Sequence, residues 1–207
     1  METIERIHAT AHNLFKQYGL RSVTMSDIAT ELGISKKTIY NYYTDKDTLV
    51  DVVVTQLIAH NQHCCNIDQS RATSAIHEIF LALEMMQKTL ADMNPTLVYD
   101  LKKYYTKSYQ KFENFKTEYL ANIIKTNLNR GIQEELYRPD VDVEIITLLR
   151  LHTMMFSFSP EIVLHTKRDN LYIEMQIILH FLYGIATPKG YKLIQKYLQQ
   201  KQHNSPK

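Results

Sequence analysis

The sequence predicts an all-helical chain, and three observations carry that prediction. Apolar residues recur at helical spacing through most of the 207 residues, and no segment alternates with strand period. Gly and Pro number only 5 each and read as punctuation between the apolar-periodic segments. Cap residues precede several of those segments, among them Thr24, Ser35, Asp45 and Asp142.

Taken in order, Ile4, Ile7, Ala11, Leu14, Phe15 and Tyr18 form one stripe that stops at Gly19. Thr24 and Asp27, three apart, make a capping box for a second helix whose buried face is Ile28, Ala29 and Leu32. Gly33 supplies the backbone freedom for a tight turn, and Ser35 caps a third helix. There Ile39 and Tyr43 face the core, leaving Lys36, Lys37, Thr38, Tyr40, Asn41 and Tyr42 outward. Two short helices around a glycine turn, the second crowded with long polar donors, read as a helix-turn-helix with a polyanion to meet.

Asp45 then caps a linking helix over about 48–65, with Leu49, Val50, Val53, Leu57 and Ile58 inward. The polar run 66–73 reads as a loop. Helical periodicity returns over Ala75–Leu90, and Asn94-Pro95 reads as the next start, with Pro near the first helical position. From Tyr99 to Gln133 runs a long amphipathic stretch, one helix or two with a bend. Arg138-Pro139-Asp140 breaks the pattern, and Asp142 caps a helix through about Phe158 that Pro160 stops. A further helix covers about 170–185; Pro188 interrupts, and 190–200 form a short basic tail helix.

Residues 24–49 resemble the TetR family of bacterial transcriptional regulators. The resemblance rests on Ile7, Leu14-Phe15, Gly19, Thr24, Ile28-Ala29, Gly33, Ser35, Tyr40, Tyr42-Tyr43, Lys46 and Leu49. Tyr43 stands where Phe is usual, and Lys37 where Gly or a basic residue is common. Arg130-Gly131-Ile132 with Arg138-Pro139-Asp140 and Asp142 resembles the loop that often precedes the family's dimerisation helices. The resemblance implies an N-terminal three-helix DNA-binding domain at 1–47 and a C-terminal helical effector-binding and dimerisation domain at 48–207. It implies a homodimer on a double-stranded, inverted-repeat operator, most often as a repressor, released by a small-molecule effector.

Lys36, Lys37, Thr38 and Asn41 are the candidates for base edges, since Lys suits guanine and Asn adenine. The resemblance places Tyr40, Tyr42 and Lys46 at phosphates, joined by the hydroxyls of Thr24 and Ser35. It also implies an effector pocket between about 75 and 160, where Tyr105, Tyr109, Phe112, Tyr119, His152 and Phe156 offer aromatic walls and hydrogen-bonding tips. An aromatic stripe at helical spacing serves equally as plain core. The helices over 143–158 and 171–185 are apolar nearly all round, which fits a two-fold interface or the centre of a monomer's core. A second domain that holds a protein partner instead of a small molecule is the alternative within DNA binding.

Net charge is only +2, so basic character is local to Lys36, Lys37 and Lys46. Acids at Glu2 and Glu5, with no apolar run, argue against a signal peptide. Two adjacent cysteines, Cys64 and Cys65, give no disulfide framework, and the expected compartment is the cytoplasm. His60 and Cys64 share a helical face at metal-ligand spacing, without a second pair to complete a site. His8 and His12 share another and read as exposed. No nucleophile elbow, phosphate-cradling glycine loop or metalloprotease helix occurs, so neither catalysis nor a cofactor is expected.

Overall fold

The computed structural model describes residues 2–90 and 93–204, with 160, 163 and 201–204 described by backbone alone. Those residues form twelve α-helices and one π-helical segment, with no strand among them. In chain order they are α1 (Thr3–Tyr18), α2 (Met25–Leu32), α3 (Lys36–Tyr40), α4 (Lys46–Arg71), α5 (Ala75–Leu90) and α6 (Leu97–Tyr104). After them come α7 (Thr106–Asn114), the π-helical Phe115–Leu120 and α8 (Ala121–Gln133). Last are α9 (Val143–Phe156), α10 (Pro160–Thr166), α11 (Asn170–Ile185) and α12 (Pro188–Asn204).

The chain divides into two compact units. One comprises Met1–Asn61, Asp92–Phe115 and Phe158–Lys167; the other comprises Gln62–Ala91, Lys116–Ser157 and Arg168–Lys207. The division is therefore not the sequential one expected at residue 47. The physical reason is packing: Leu97, Leu101, Tyr105, Tyr109 and Phe112 of α6 and α7 lie on the same core as Ile7, Phe15, Ile28, Ile39 and Val50. In the second unit Ile76, Phe80, Leu128, Tyr137, Ile178, Leu182 and Ile194 build a separate core from α5, α8, α11, α12 and the segment after α8.

Helix α4 continues to Arg71, six residues past the expected end. Polar residues do not stop a helix that contains neither Gly nor Pro, so 66–71 stay helical as an exposed or half-buried extension. α6 starts at Leu97, because Asn94 Oδ1 first accepts from the Thr96 N–H and hydroxyl in a local turn. The expected 99–133 stretch is broken at Tyr105 (φ −128°, ψ 58°) and loosened again by the π-helical turn. Pro160 and Pro188 open α10 and α12 rather than ending or interrupting their neighbours, since Pro fits the first helical turn. Gly131 lies inside α8, where a Cβ would fall about 2.0 Å from the Tyr137 ring; the aromatic can sit there only against bare backbone.

Candidate nucleic-acid interface

Local chemistry sets the helix-turn-helix. Thr24 Oγ1 accepts from Asp27 N at 3.2 Å, while Asp27 Oδ2 accepts from Thr24 N at 2.7 Å, so each residue caps the other. These hydrogen bonds hold the Asp27 carboxyl below its usual range. Gly33 ends α2 in the left-handed region at φ 66°. Ser35 Oγ accepts from Thr38 N at 3.1 Å and starts α3. Ile39 is fully buried and Tyr43 nearly so, which fixes how α3 is rotated.

That rotation leaves Lys36, Lys37, Tyr40, Asn41 and Tyr42 exposed and Thr38 half-buried. The Lys36 ammonium stands 5.7 Å from the Tyr40 ring centroid. Ser35 and Thr38 hydroxyls are 2.8 Å apart, so Thr38 shares in the cap as well as facing out. Lys46 is placed differently from its expected phosphate position. Its ammonium turns inward, donating to the Leu20 carbonyl and lying 5.8 Å from both the Phe15 and Tyr105 rings. Burial lowers its pKa, opposed by the charges of Asp47, Asp100 and Asp27.

One positioning residue escaped sequence reasoning. His8, half-buried instead of exposed, bridges Tyr43 and Gln56. The Gln56 amide nitrogen can only donate, at 2.8 Å, so the imidazole Nδ1 accepts and Nε2 carries the proton toward the Tyr43 hydroxyl. α1, the segment after α3 and α4 are thereby tied at one ring. A groove of about 440 Å³ beside it is lined by residues including His12, Leu57 and His60. No local pattern could signal this bridge, because Gln56 lies 48 residues from His8.

The family model of bacterial regulatory proteins, tetR family, matches residues 7–53. The HTH-type transcriptional regulator YvaF of Bacillus subtilis is 33% identical over 145 residues, which cover 68% of this chain and 75% of that protein. The chain belongs to the TetR family. Solved structures agree on the fold. TetR of Rhodobacter sphaeroides is 11% identical with a TM-score of 0.72, covering 88% of this chain and 98% of its own. FadR of Bacillus subtilis, in complex with stearoyl-CoA, is 19% identical with a TM-score of 0.66 over 88% of this chain and 100% of its own. This TetR-family chain is thus a DNA-binding transcriptional regulator, not an enzyme.

The six aromatic and histidine positions expected at an effector pocket are split between the two units. Tyr105, Tyr109 and Phe112 pack on the first core; the Tyr109 and Phe112 rings lie 6.3 Å apart, and burial pushes the Tyr109 phenol up to about 12. Their stripe faces the helix-turn-helix core, so it cannot wall a cavity in the second unit. Tyr119, in the second unit, donates to the Gln62 carbonyl at 3.1 Å and to Asn66 Oδ1 at 2.8 Å. His152 is exposed and bonded to its own helix at Leu148 O, and Phe156 is 52% exposed.

Within that unit α9 and α11 meet through a buried ion pair, Arg150 Nη2 to Glu174 Oε1 at 2.6 Å. Thr147 Oγ1, Arg150 Nη1, both Asn170 amide atoms and Glu174 Oε2 are buried there without a hydrogen-bond partner. The outward face of α9 carries Ile145, Leu148, Leu149 and Phe156, each more than half exposed. Among the described residues no group of three or more His, Cys, Asp or Glu is gathered as a metal ion would require. Burial pushes the Cys65 thiol up to about 11. No helix of the described residues is long and apolar enough to cross a membrane.

Proposed function

We propose that this regulator is a ligand-responsive repressor that binds an inverted-repeat operator as a homodimer in the cytoplasm. The observation that carries the reading is the outer face of α3, where Lys36, Lys37, Tyr40, Asn41 and Tyr42 are all exposed on a helix fixed by Ser35 and Ile39. Lys36, Lys37, Thr38 and Asn41 take base edges in the major groove. Tyr40, Tyr42 and the hydroxyls of Thr24 and Ser35 take phosphates, which set register while the base contacts choose the site. Lys46 acts from beneath, holding the start of α4 to the Leu20 carbonyl.

The exposed apolar residues of α9 support the dimer. Ile145, Leu148, Leu149 and Phe156 recur at helical spacing, as one face laid against a second copy would require. A standard interface buries about 1,600 Å² in total, and a two-fold axis then sets the two α3 helices about 34–36 Å apart, one turn of B-DNA. Helix α11 contributes less than its composition implies, since Ile178 and Leu182 are committed to the core. For the effector, the stearoyl-CoA complex of FadR makes a long-chain acyl thioester the first class to try. Such a ligand releases DNA only through its differential affinity for two arrangements of the dimer.

The test is a duplex enriched from random DNA by the purified protein, read by light scattering and anisotropy. A mass of twice 24.3 kDa, a palindromic enriched site and release by stearoyl-CoA are expected. A mass near 24.3 kDa overturns the dimer, and an enriched site without two-fold symmetry overturns the operator form.

A further inference from the structure

We propose that Arg21, Lys102 and Lys103 form a second phosphate-binding patch, outside the helix-turn-helix, for the backbone of the same DNA duplex that α3 reads. This rests on the DNA-binding reading and extends it to α6, a helix that no sequence signal connected with nucleic acid.

The three cations are drawn together without acids to balance them. The Arg21 guanidinium lies 5.4 Å from the Tyr104 ring centroid, and the Lys103 ammonium lies 5.3 Å from the same ring. Lys103 also stands 5.4 Å from the Tyr99 ring and donates to its hydroxyl at 3.2 Å. Lys102 sits 5.9 Å from Tyr109. Among the described residues no carboxylate is within ion-pair distance of Arg21, Lys102 or Lys103. The one acid of α6, Asp100, is turned inward and only 7% exposed. Charge on this helix is therefore segregated, with acid in and base out. Two like charges over one exposed ring repel each other unless a polyanion meets them.

The patch is also fixed relative to the reading helix. Asp100 Oδ2 accepts from the Arg21 N–H at 3.3 Å, and the Asn94 N–H donates to Lys16 O at 2.7 Å. Arg21 itself is three residues before Thr24, the cap of α2. The cations thus belong to the compact unit that carries α3, and a duplex held by α3 is the polyanion that unit must meet. Tyr99 and Tyr104, 48% and 41% exposed, give the lysine stems an apolar floor and leave hydroxyls that can donate to phosphate. Such an open surface suits a backbone better than it suits a small anion, which needs enclosure.

The experiment compares wild type with K102Q/K103Q on the duplex the wild type enriches from random DNA, between 50 and 200 mM salt. Glutamine keeps much of the stem, and equal melting temperatures confirm the fold. Two lost phosphate contacts should reduce the slope of log affinity against log salt by about 1.8. The variant's deficit should accordingly shrink roughly tenfold across that salt range, with the enriched sequence unchanged. K102R/K103R should keep the wild-type slope. A slope shared by wild type and K102Q/K103Q overturns the patch, as does a loss equal at every salt concentration. A wild type that enriches no duplex overturns the recognition reading instead, and the patch with it.

Discussion

The helix-turn-helix and the α9–α11 seam handle polar and apolar groups in opposite ways. In the first, polar side chains are either satisfied locally, as Thr24 by Asp27 and Ser35 by Thr38, or exposed, as Lys37 and Asn41. Its large aliphatic residues, Ile7, Ile28, Ile39 and Leu49, are fully buried. In the second, Arg150, Glu174, Thr147 and Asn170 are buried with bonding capacity unused, while Ile145, Leu148 and Leu149 face out. A surface built to meet charge has no need to hide its donors. An apolar outer face backed by a polar seam is instead suited to another apolar surface, with the buried ions fixing the register of the two helices.

The largest effect that separates the two regions should come from L148E/L149E. Both residues are more than half exposed, so the substitution spares the core of each subunit. It should halve the mass in solution and weaken operator binding by about 10²–10⁴, the avidity lost when two half-sites are no longer linked. Melting of the isolated subunit should change little. A variant that stays a dimer by light scattering would move the interface off α9.

Next in size is Glu174→Leu, which leaves the Arg150 guanidinium buried beside an apolar side chain. Removing one partner of a buried pair costs about 3–5 kcal/mol, read as a lower denaturant midpoint. The double variant R150M/E174L should recover most of that loss, because both charges leave together. If the double variant is no better than the single, the orphaned atoms of the seam matter more than the pair itself.

Part of this contrast was legible in the sequence because it is local. The caps of α2 and α3 join residues three apart, and helices over 75–90 and 170–185 follow from periodicity alone. Longer reach defeated the reading. The partners of Lys46 are Leu20, 26 residues before it, and Tyr105, 59 residues after it. The aromatic stripe of α6 and α7 was visible as a stripe, yet periodicity says that a face is covered and not by which core. Proline at 160 was read as a stop when the same restricted φ also suits a start.

Lys46 therefore offers a third test. As a phosphate ligand its removal would flatten the salt dependence of DNA binding by about one unit. From its place under Leu20, Lys46→Met should instead leave the slope unchanged and lower stability by about 1–2 kcal/mol, the net worth of a hydrogen bond from a charged donor. A flattened slope at unaltered stability would return Lys46 to the DNA-facing set.

The smallest effect concerns pH and belongs to the first unit alone. His8 and His12 both titrate below the usual 6.5, chiefly because burial disfavours the imidazolium. Glu5 pulls His8 back up; Lys16 and His60 push His12 further down against a hydrogen bond from Asn13. With folded values below the unfolded one, the unfolded chain binds more protons in that window. Stability is thus complete above about pH 6.5 and declines as pH falls through the folded values. Asp27 and Asp45, held below 3.8 by their capping bonds, stay ionised in that range and add nothing to the decline. Thermal melting at pH 7.5 and pH 5 should show the wild type losing more than H8Q/H12N, which has no imidazole at either position. Equal losses in the two proteins would assign the acid sensitivity to other groups and leave the His8 bridge to Tyr43 and Gln56 a purely structural tie.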